Sequence, residues 1–352
     1  MTNGIDILGT LATQFLPQMT PAERRAAIES LQSIIDAERF KLAVKEDDGV
    51  VACRECGSIH VVKRGKDGAG RQRYLCRDCG KSFTSVKQNV FKQSKLDDAK
   101  WMKCIECFVD RLPLRECSKR CGVSLKTAWF MRHRIMEALW RHIPSFEVRE
   151  GCGAQLDETF FRENFKGNHT RGSFELPRPA RKRGNQNHKR GISNEQICVL
   201  TGINDAGDMF YEVAGRGRLN SGVALSLLED KIGEGAIVST DRLNSYAPVM
   251  RELGVACHNA YDAKKHGKLN RINNVHSRIE GFMSPFRGVA TRRLGGYLAW
   301  FKWLYSFKQD RSASDVAELT ARQLSNTMYM TSWRKCKNTP YLFMEYWEGK
   351  VA

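Results

Sequence analysis

No stretch of this chain approaches the roughly 18 uncharged apolar residues that a membrane-crossing helix needs, so neither a transmembrane segment nor a membrane partner is expected. The opening residues, MTNGIDILGTLATQF, lack the basic start and unbroken apolar stretch of a secretory signal. No internal repeat at solenoid periods is visible, which excludes a stacked-repeat architecture, and no long low-complexity tract interrupts the chain. Acidic residues are in short supply: 39 Asp and Glu face 57 Lys and Arg, for a formal net charge of +18. That deficit points to a polyanionic partner, because each basic side chain that neutralises a phosphate also releases counterions. What is present is enough for folded modules. The chain has 352 residues, 41% of them hydrophobic, which allows two or three modules with at least one sizeable core.

Twelve cysteines without a secretory signal suggest a reducing, cytoplasmic setting, where clustered cysteines bind metal more often than they form disulfides. Four of them form a pattern. Cys53-x2-Cys56 is followed, after 19 intervening residues, by Cys76-x2-Cys79, and each pair continues with glycine, as CRECGS and CRDCGK. Two intervening residues let both thiolates of a knuckle face one ion, and the glycine permits the tight turn. Two such knuckles complete a closed tetrahedral site for a structural Zn²⁺. Tyr74 and Phe83 flank the second knuckle, and Lys63, Arg64, Lys66, Arg71 and Arg73 give the intervening hairpin a basic edge. Cys104-x2-Cys107 and Cys117-x3-Cys121 lie in segments that read as helix and lack glycine knuckles. They are expected to be buried small hydrophobes rather than a second zinc site.

The remaining organisation follows from periodicity and punctuation. Thr20, Pro21 and Glu23 spell a helix start, and Ile28, Leu31, Ile34, Ile35 and Leu42 recur at helical spacing, so a helix is expected over 20–42. Short strands are expected in 50–88 and helices in 95–143. Residues 150–310 alternate strand-like and helical runs, which is the pattern of an α/β domain. Residues 174–194 are too polar and basic for a core and read as a loop. Residues 314–327 read as a tail helix, and Trp333 to Trp347 as a segment packing back on the body. The boundaries drawn from this are 1–48 for an N-terminal helical segment, 49–90 for a zinc ribbon, 91–148 for a helix-turn-helix region, 149–310 for the α/β domain and 311–352 for a C-terminal tail.

Residues 114–143 read as helix, short turn, helix. Gly122 marks the turn, Ser124 caps the second helix, and Val123, Ala128, Met131, Ile135 and Leu139 supply its apolar face. Lys126, Thr127, Arg132 and Arg134 are the residues expected to face DNA, since such a second helix can enter the major groove. An ordinary αα-hairpin has the same pattern.

Three carboxylates stand out. Asp157 lies in the strand-like run GCGAQLDETFFREN, with Glu158 expected to face outward by alternation. Asp241 ends a second run, GAIVSTD, at the carboxyl end where open α/β sheets keep their ligands. Glu280 is the only acid between 263 and 309, in a stretch rich in Lys and Arg. Asp262 and Glu252 are the competing acids. Asn273, Glu280 and Arg287 are spaced seven apart and would share one helix face, although Pro285 interrupts the helix. The chemistry explains the need for several acids. In-line displacement at phosphorus is served by two Mg²⁺ (or Mn²⁺) ions about 4 Å apart, and these hard ions prefer carboxylate oxygen. Asp157 would bridge the pair, with Asp241 and Glu280 each holding one side.

Taken together, CRECG…CRDCG, QLDETFF, STDRLNSY and IEGFMSPFRG followed by YLAWFKWLYSFK resemble bacterial insertion-sequence transposases of the zinc-ribbon DDE kind, akin to Merlin-type elements, over about residues 50–308. The resemblance implies an RNase H-like mixed sheet flanked by helices, with Asp157, Asp241 and Glu280 as the metal-binding acids in the order strand, strand, helix. It also implies a basic residue seven after the glutamate, here Arg287 where the family usually has Lys. Ser277 stands where members often carry Asn. A basic loop, here Arg181, Lys182, Arg183, Lys189 and Arg190, would contact DNA near the scissile site. The implied partners are double-stranded DNA, as element ends and target, and further copies of the chain in a synaptic complex on the bacterial nucleoid. Two other readings stay open: a zinc-ribbon DNA-binding regulator without catalysis, and a structure-specific nuclease, such as a junction resolvase, that cuts without joining.

Overall fold

A computed structural model of the protein describes residues 13–44, 53, 56, 58–68, 70, 72–84, 89–91, 94–167, 177, 191–262, 269–327 and 331–348. The chain divides into two compact units, Met1–Ile135 with Ser312–Met330, and Met136–Arg311 with Thr331–Ala352.

The first unit opens with helix α1, Pro21–Ala43. Its start is the capping box read from the sequence: the Glu23 amide donates to the Thr20 hydroxyl, and the Thr20 amide donates to the Glu23 carboxylate at 2.9 Å. The C-terminal part is anchored in the unit. Asp36, Phe40 and Ala43 are buried, and Arg39 donates to Glu106 and Ser314 at 2.6 Å each. Ile28, Leu31, Ile34, Ile35 and Leu42, whose period marks the helix, are exposed. Strands β1 (Val61–Lys66), β2 (Gln72–Cys76) and β3 (Ser82–Thr84) then form an antiparallel three-stranded sheet in that order. Tyr74 pairs with Phe83 across it, their rings stacked at 5.8 Å.

Helices α2 (Asp98–Val109), α3 (Leu114–Arg120) and α4 (Leu125–Leu139) follow. Asp97 caps α2 by accepting from the Lys100 amide at 2.8 Å. Trp101, Met102, Ile105 and Phe108 make α2 the buried centre of the unit. Between α3 and α4, Gly122 takes a left-handed φ of 60° and Ser124 accepts from the Thr127 amide at 3.1 Å, so the turn residues expected there do that work. The tail helix, Ala313–Asn326, packs on α1 and α2. A stretch read as tail is therefore part of the N-terminal helical unit. Its apolar stripe, Val316, Ala317, Ala321 and Leu324, announces one buried face, but a stripe does not name its partner.

The second unit contains β4 (Gly153–Arg162), β5 (Gln196–Asn204), β6 (Met209–Arg216), α5 (Ser221–Leu228), β7 (Ile237–Asp241), α6 (Tyr246–Glu252), β8 (Cys257–Tyr261), α7 (Asn270–Met283) and α8 (Leu294–Lys308). The sheet order is β6-β5-β4-β7-β8. β4, β5 and β6 are mutually antiparallel, whereas β4–β7 and β7–β8 are parallel. The connections account for this. A tight turn at Asp205–Asp208 permits an antiparallel hairpin, while parallel neighbours need the helical crossovers that α5 and α6 supply.

Each sheet face has its own cover. On one side Leu156, Leu200, Phe210 and Val238 pack with Ala224, Leu228, Tyr246 and Val249 of α5 and α6. On the other lie α7 and α8, with an aromatic cluster in which Phe282 meets Trp300 at 5.2 Å and Tyr211 meets Phe301 at 5.5 Å. Gly202 sits opposite Leu156 on the first face, where a Cβ would fall 2.3 Å from Phe210 and 2.8 Å from Leu156. The absence of a side chain there lets two large ones fill the layer.

Candidate active site

The site grows from the central parallel pair. β4 and β7 run in register, with Gly153 beside Ile237 and Gln155 beside Ser239. Continuing that offset puts Asp157 level with Asp241. By alternation both side chains leave the sheet on the side away from Ala154, Leu156 and Val238. Carboxylate oxygens of Asp157, Glu158 and Asp241 come within 4.8 Å of one another. The Asp241 carboxylate accepts from the Leu243 amide at 3.0 Å, which fixes it where the strand ends.

Glu158 corrects the sequence reading. It does not face outward into solvent: it is half-buried, and its carboxylate accepts a short hydrogen bond from the hydroxyl of buried Tyr246. Alternation does send it to the face opposite Asp157, but that face is covered by α6 at this level.

Burial and mutual repulsion shape the acids. Burial pushes the Asp157 carboxyl up to about 6, against a backbone hydrogen bond from Glu158, and Asp241 adds to the rise. Burial pushes Glu158 up to about 8; the Tyr246 hydrogen bond opposes this, and Asp241 and Asp157 reinforce it. Crowded, partly desolvated carboxylates of this kind suit a divalent cation, which would relieve the repulsion. The donors are all hard oxygens, as Mg²⁺ and Mn²⁺ prefer.

Sequence reasoning missed His276. It lies on α7, and its ring is held between β4 and β5. The Thr201 hydroxyl donates to the Asp157 carbonyl at 2.7 Å and lies 2.7 Å from His276 Nε2. With that hydroxyl hydrogen committed, Nε2 is the donor of the second contact. Nδ1 is then left with its lone pair facing the Asp157 carboxylate at 3.7 Å. Burial lowers the imidazole to about 4, which keeps it neutral. The available signal was spacing, since His276 lies four residues before Glu280 on one helix face.

Glu280 is exposed on α7, one turn beyond His276, and is not part of the Asp157–Glu158–Asp241 cluster. The Arg287 alignment is corrected. α7 ends at Met283, a short 3-10 turn carries Pro285, and Arg287 takes a left-handed φ of 49°. It is exposed on a turn rather than on the face shared by Asn273 and Glu280. That turn is pinned to the end of β4: Lys166 donates to the carbonyls of Phe286 and Gly288 at 2.8 and 2.9 Å, the Asn164 amide donates to the Thr291 hydroxyl at 2.9 Å, and the Thr291 amide to the Asn164 carbonyl at 2.8 Å.

A cleft of about 420 Å³ opens beside the acids, lined among others by Glu158, Asp241, Asp262, Arg218, Arg242 and Tyr261. Asp262, a competitor in the sequence, thus borders the same cleft.

In the first unit the thiols of Cys53, Cys56, Cys76 and Cys79 converge. Cys53 and Cys79 sulfurs are 3.5 Å apart and those of Cys56 and Cys76 3.6 Å. Four sulfurs at Zn–S of about 2.3 Å stand roughly 3.8 Å apart in a tetrahedron, so this set is compatible with zinc. The Cys53 amide donates to Ser58 and the Cys76 amide to Lys81, closing both knuckles, and Gly80 supplies a left-handed φ of 70°.

Of the four helical residues expected to face DNA, Lys126 is exposed and Thr127 half-buried. Arg132 and Arg134 are only 3% and 8% exposed, which removes them from that role. Arg132 donates to the Leu112 carbonyl, and Arg134 lies over the rings of Trp101 and Phe130 at 5.8 and 5.4 Å. Arg181, Lys182, Arg183, Lys189 and Arg190 lie outside the described residues, as does Arg71 of the ribbon.

No family model matches the chain. It is similar to an uncharacterized protein in transposable element ISH50 of Halobacterium salinarum, 27% identical over 261 residues, covering 72% of this chain and 84% of that protein. Among solved structures, a chain of a pre-cleavage Mos1 transpososome aligns over 65% of this chain and 79% of its own length, at 10% identity and a TM-score of 0.20. A superposition that loose leaves the fold and the site to rest on this chain's own geometry.

Proposed function

We propose that the protein is a transposase that binds the terminal inverted repeats of its insertion sequence and catalyses Mg²⁺-dependent cleavage and strand transfer. The observation that carries this is the meeting of Asp157 and Asp241 on neighbouring parallel strands, level in register and oxygen to oxygen. The sheet order, with three antiparallel strands followed by two parallel ones, supports an RNase H-like reading of the second unit. A relative borne by a transposable element points the same way.

Asp157 and Asp241 would hold the divalent ions, and Glu280, one turn from His276, would close on them from α7. Bound there, such ions stabilise the attacking and leaving oxygens of phosphoryl transfer. His276 holds the Asp157 backbone in place through Thr201. Tyr246 restrains Glu158 beside it. No side chain is needed as nucleophile, since water or a DNA 3′-hydroxyl attacks. The ribbon, with structural Zn²⁺ on its four thiolates, and the +18 net charge supply the grip on DNA. Lys126 and Thr127 remain the contacts proposed on α4, Arg287 the contact beside the scissile phosphate, and several copies of the chain would assemble on paired ends.

The test is a plasmid bearing the flanking ends of the element, incubated with the protein and Mg²⁺ or Mn²⁺. The wild type should nick and join, and Asp157→Ala and Asp241→Ala should do neither. Cleavage without joining would favour the nuclease reading, and binding without cleavage the regulator. Glu280→Gln set against Glu158→Gln identifies the third acid: the proposal requires the Glu280 change to be the more damaging.

A further inference from the structure

Four cysteines outside the ribbon converge inside the helical unit. α2 carries Cys104 and Cys107, three residues apart, so both project from one side of the helix. Cys117 lies in α3 and Cys121 caps its end. The sulfurs of Cys104, Cys117 and Cys121 come within 4.8 Å of one another, with Cys117 and Cys121 at 3.9 Å. Cys107 lies outside that close trio but acts electrostatically on Cys117 and Cys121. All four side chains are almost fully buried.

The connection between the two helices is shaped to bring these pairs together. Arg111 takes a left-handed φ of 57°, and the Leu112 amide donates to the Cys107 carbonyl at 2.9 Å. After Cys121, Gly122 turns the chain away. A positive charge stands beside the group: buried Arg132 donates to the Leu112 carbonyl and acts electrostatically on Cys117.

We propose that Cys104, Cys107, Cys117 and Cys121 bind a second structural zinc ion, which locks α2 to α3 beneath the α3–α4 hairpin. Four neutral thiols in a core are ordinary small hydrophobes, but they call for neither this convergence nor a neighbouring guanidinium. Four thiolates around one Zn²⁺ carry a net charge of −2, which a buried arginine offsets. The 3.9 Å sulfur separation matches the roughly 3.8 Å edge of a tetrahedral zinc–thiolate site. Loading releases the four thiol protons to solvent and changes no oxidation state. The spacing was legible in the sequence. What hid it was the absence of glycine knuckles, for which a pair of helix termini substitutes here.

The test is zinc per chain in the purified full-length protein, by elemental analysis and by mercurial release into a zinc-binding dye. The wild type should carry two ions, and the double variant Cys53→Ser, Cys56→Ser should keep one. Cys104→Ser with Cys117→Ser should lose that remaining ion. If the second pair prevents folding, the ribbon variant decides: one retained zinc supports the site, and none overturns it. A wild type with a single ion that disappears with the ribbon cysteines, or iron and sulfide in place of zinc, also overturns it. Cobalt substitution of the ribbon variant should give the thiolate charge-transfer absorption of a four-sulfur site.

Discussion

The ribbon and the acid site are assembled in opposite ways. The ribbon's sulfurs lie within 26 positions of one another and are gathered by two knuckles and a hairpin. The acids come from residues 157 and 241, and His276 from further still; only the β4–β7 pairing and the docking of α7 on the sheet bring them together. A local site can be read from spacing, and a metal bound there would hold it together. A distributed site is as sound as the sheet beneath it and inherits the strain of what it gathers.

The largest break in this comparison comes from Cys76→Ser with Cys79→Ser. Structural zinc is worth roughly 10 kcal/mol or more to a module of this size. Amide protection across β1–β3 should vanish in hydrogen exchange, while that of β4–β8 persists. Loss of protection in both would contradict independent assembly. The converse change is Gly202→Ala, which forces a methyl against Phe210 and Leu156. It should cost the sheet unit about 1–3 kcal/mol by overpacking, seen as an earlier melting transition, with the ribbon's zinc retained.

His276→Ala sharpens the account of the acid site. Removing a group that orients a metal ligand typically costs about 10–100-fold in metal affinity or activity. Metal titration should register that loss with little change in melting temperature. His276→Gln, which can still donate to Thr201, should recover part of it.

The smallest effect concerns stored repulsion. Without metal, the folded protein holds protons on Asp157 up to about 6 and on Glu158 up to about 8, whereas the unfolded chain releases them nearer pH 4. Stability of the metal-free protein should therefore fall as pH rises from about 4 to about 8. Asp157→Asn should flatten that slope and raise the melting temperature at neutral pH by a few degrees, at about 2–4 °C per kcal/mol for a unit of this size. A thermal melt at several pH values checks both.

The sequence showed Asp157 and Asp241 because strands have a period of two and sheets keep ligands at strand ends. It misplaced Glu158 because alternation gives a face but not what covers it. Arg132 and Arg134 looked like a DNA-facing row because arginine is usually at the surface. Most of α4 from Ala128 to Leu139 is buried, and a guanidinium over Trp101 and Phe130 is accommodated within that packing. The helix over 313–326 was legible and its home was not, since the helix that buries its stripe lies more than two hundred residues earlier in the chain. His276 left only its spacing from Glu280 as a mark; it acquires meaning when Thr201 and Asp157 are seen beside it.

The most direct test is Mn²⁺ binding to the full-length protein at neutral pH, by titration calorimetry or loss of the free-ion electron paramagnetic resonance signal. The account predicts that the wild type binds and that Asp157→Asn and Asp241→Asn each abolish binding while remaining folded with their zinc intact. Variants that bind Mn²⁺ as tightly as the wild type would contradict it.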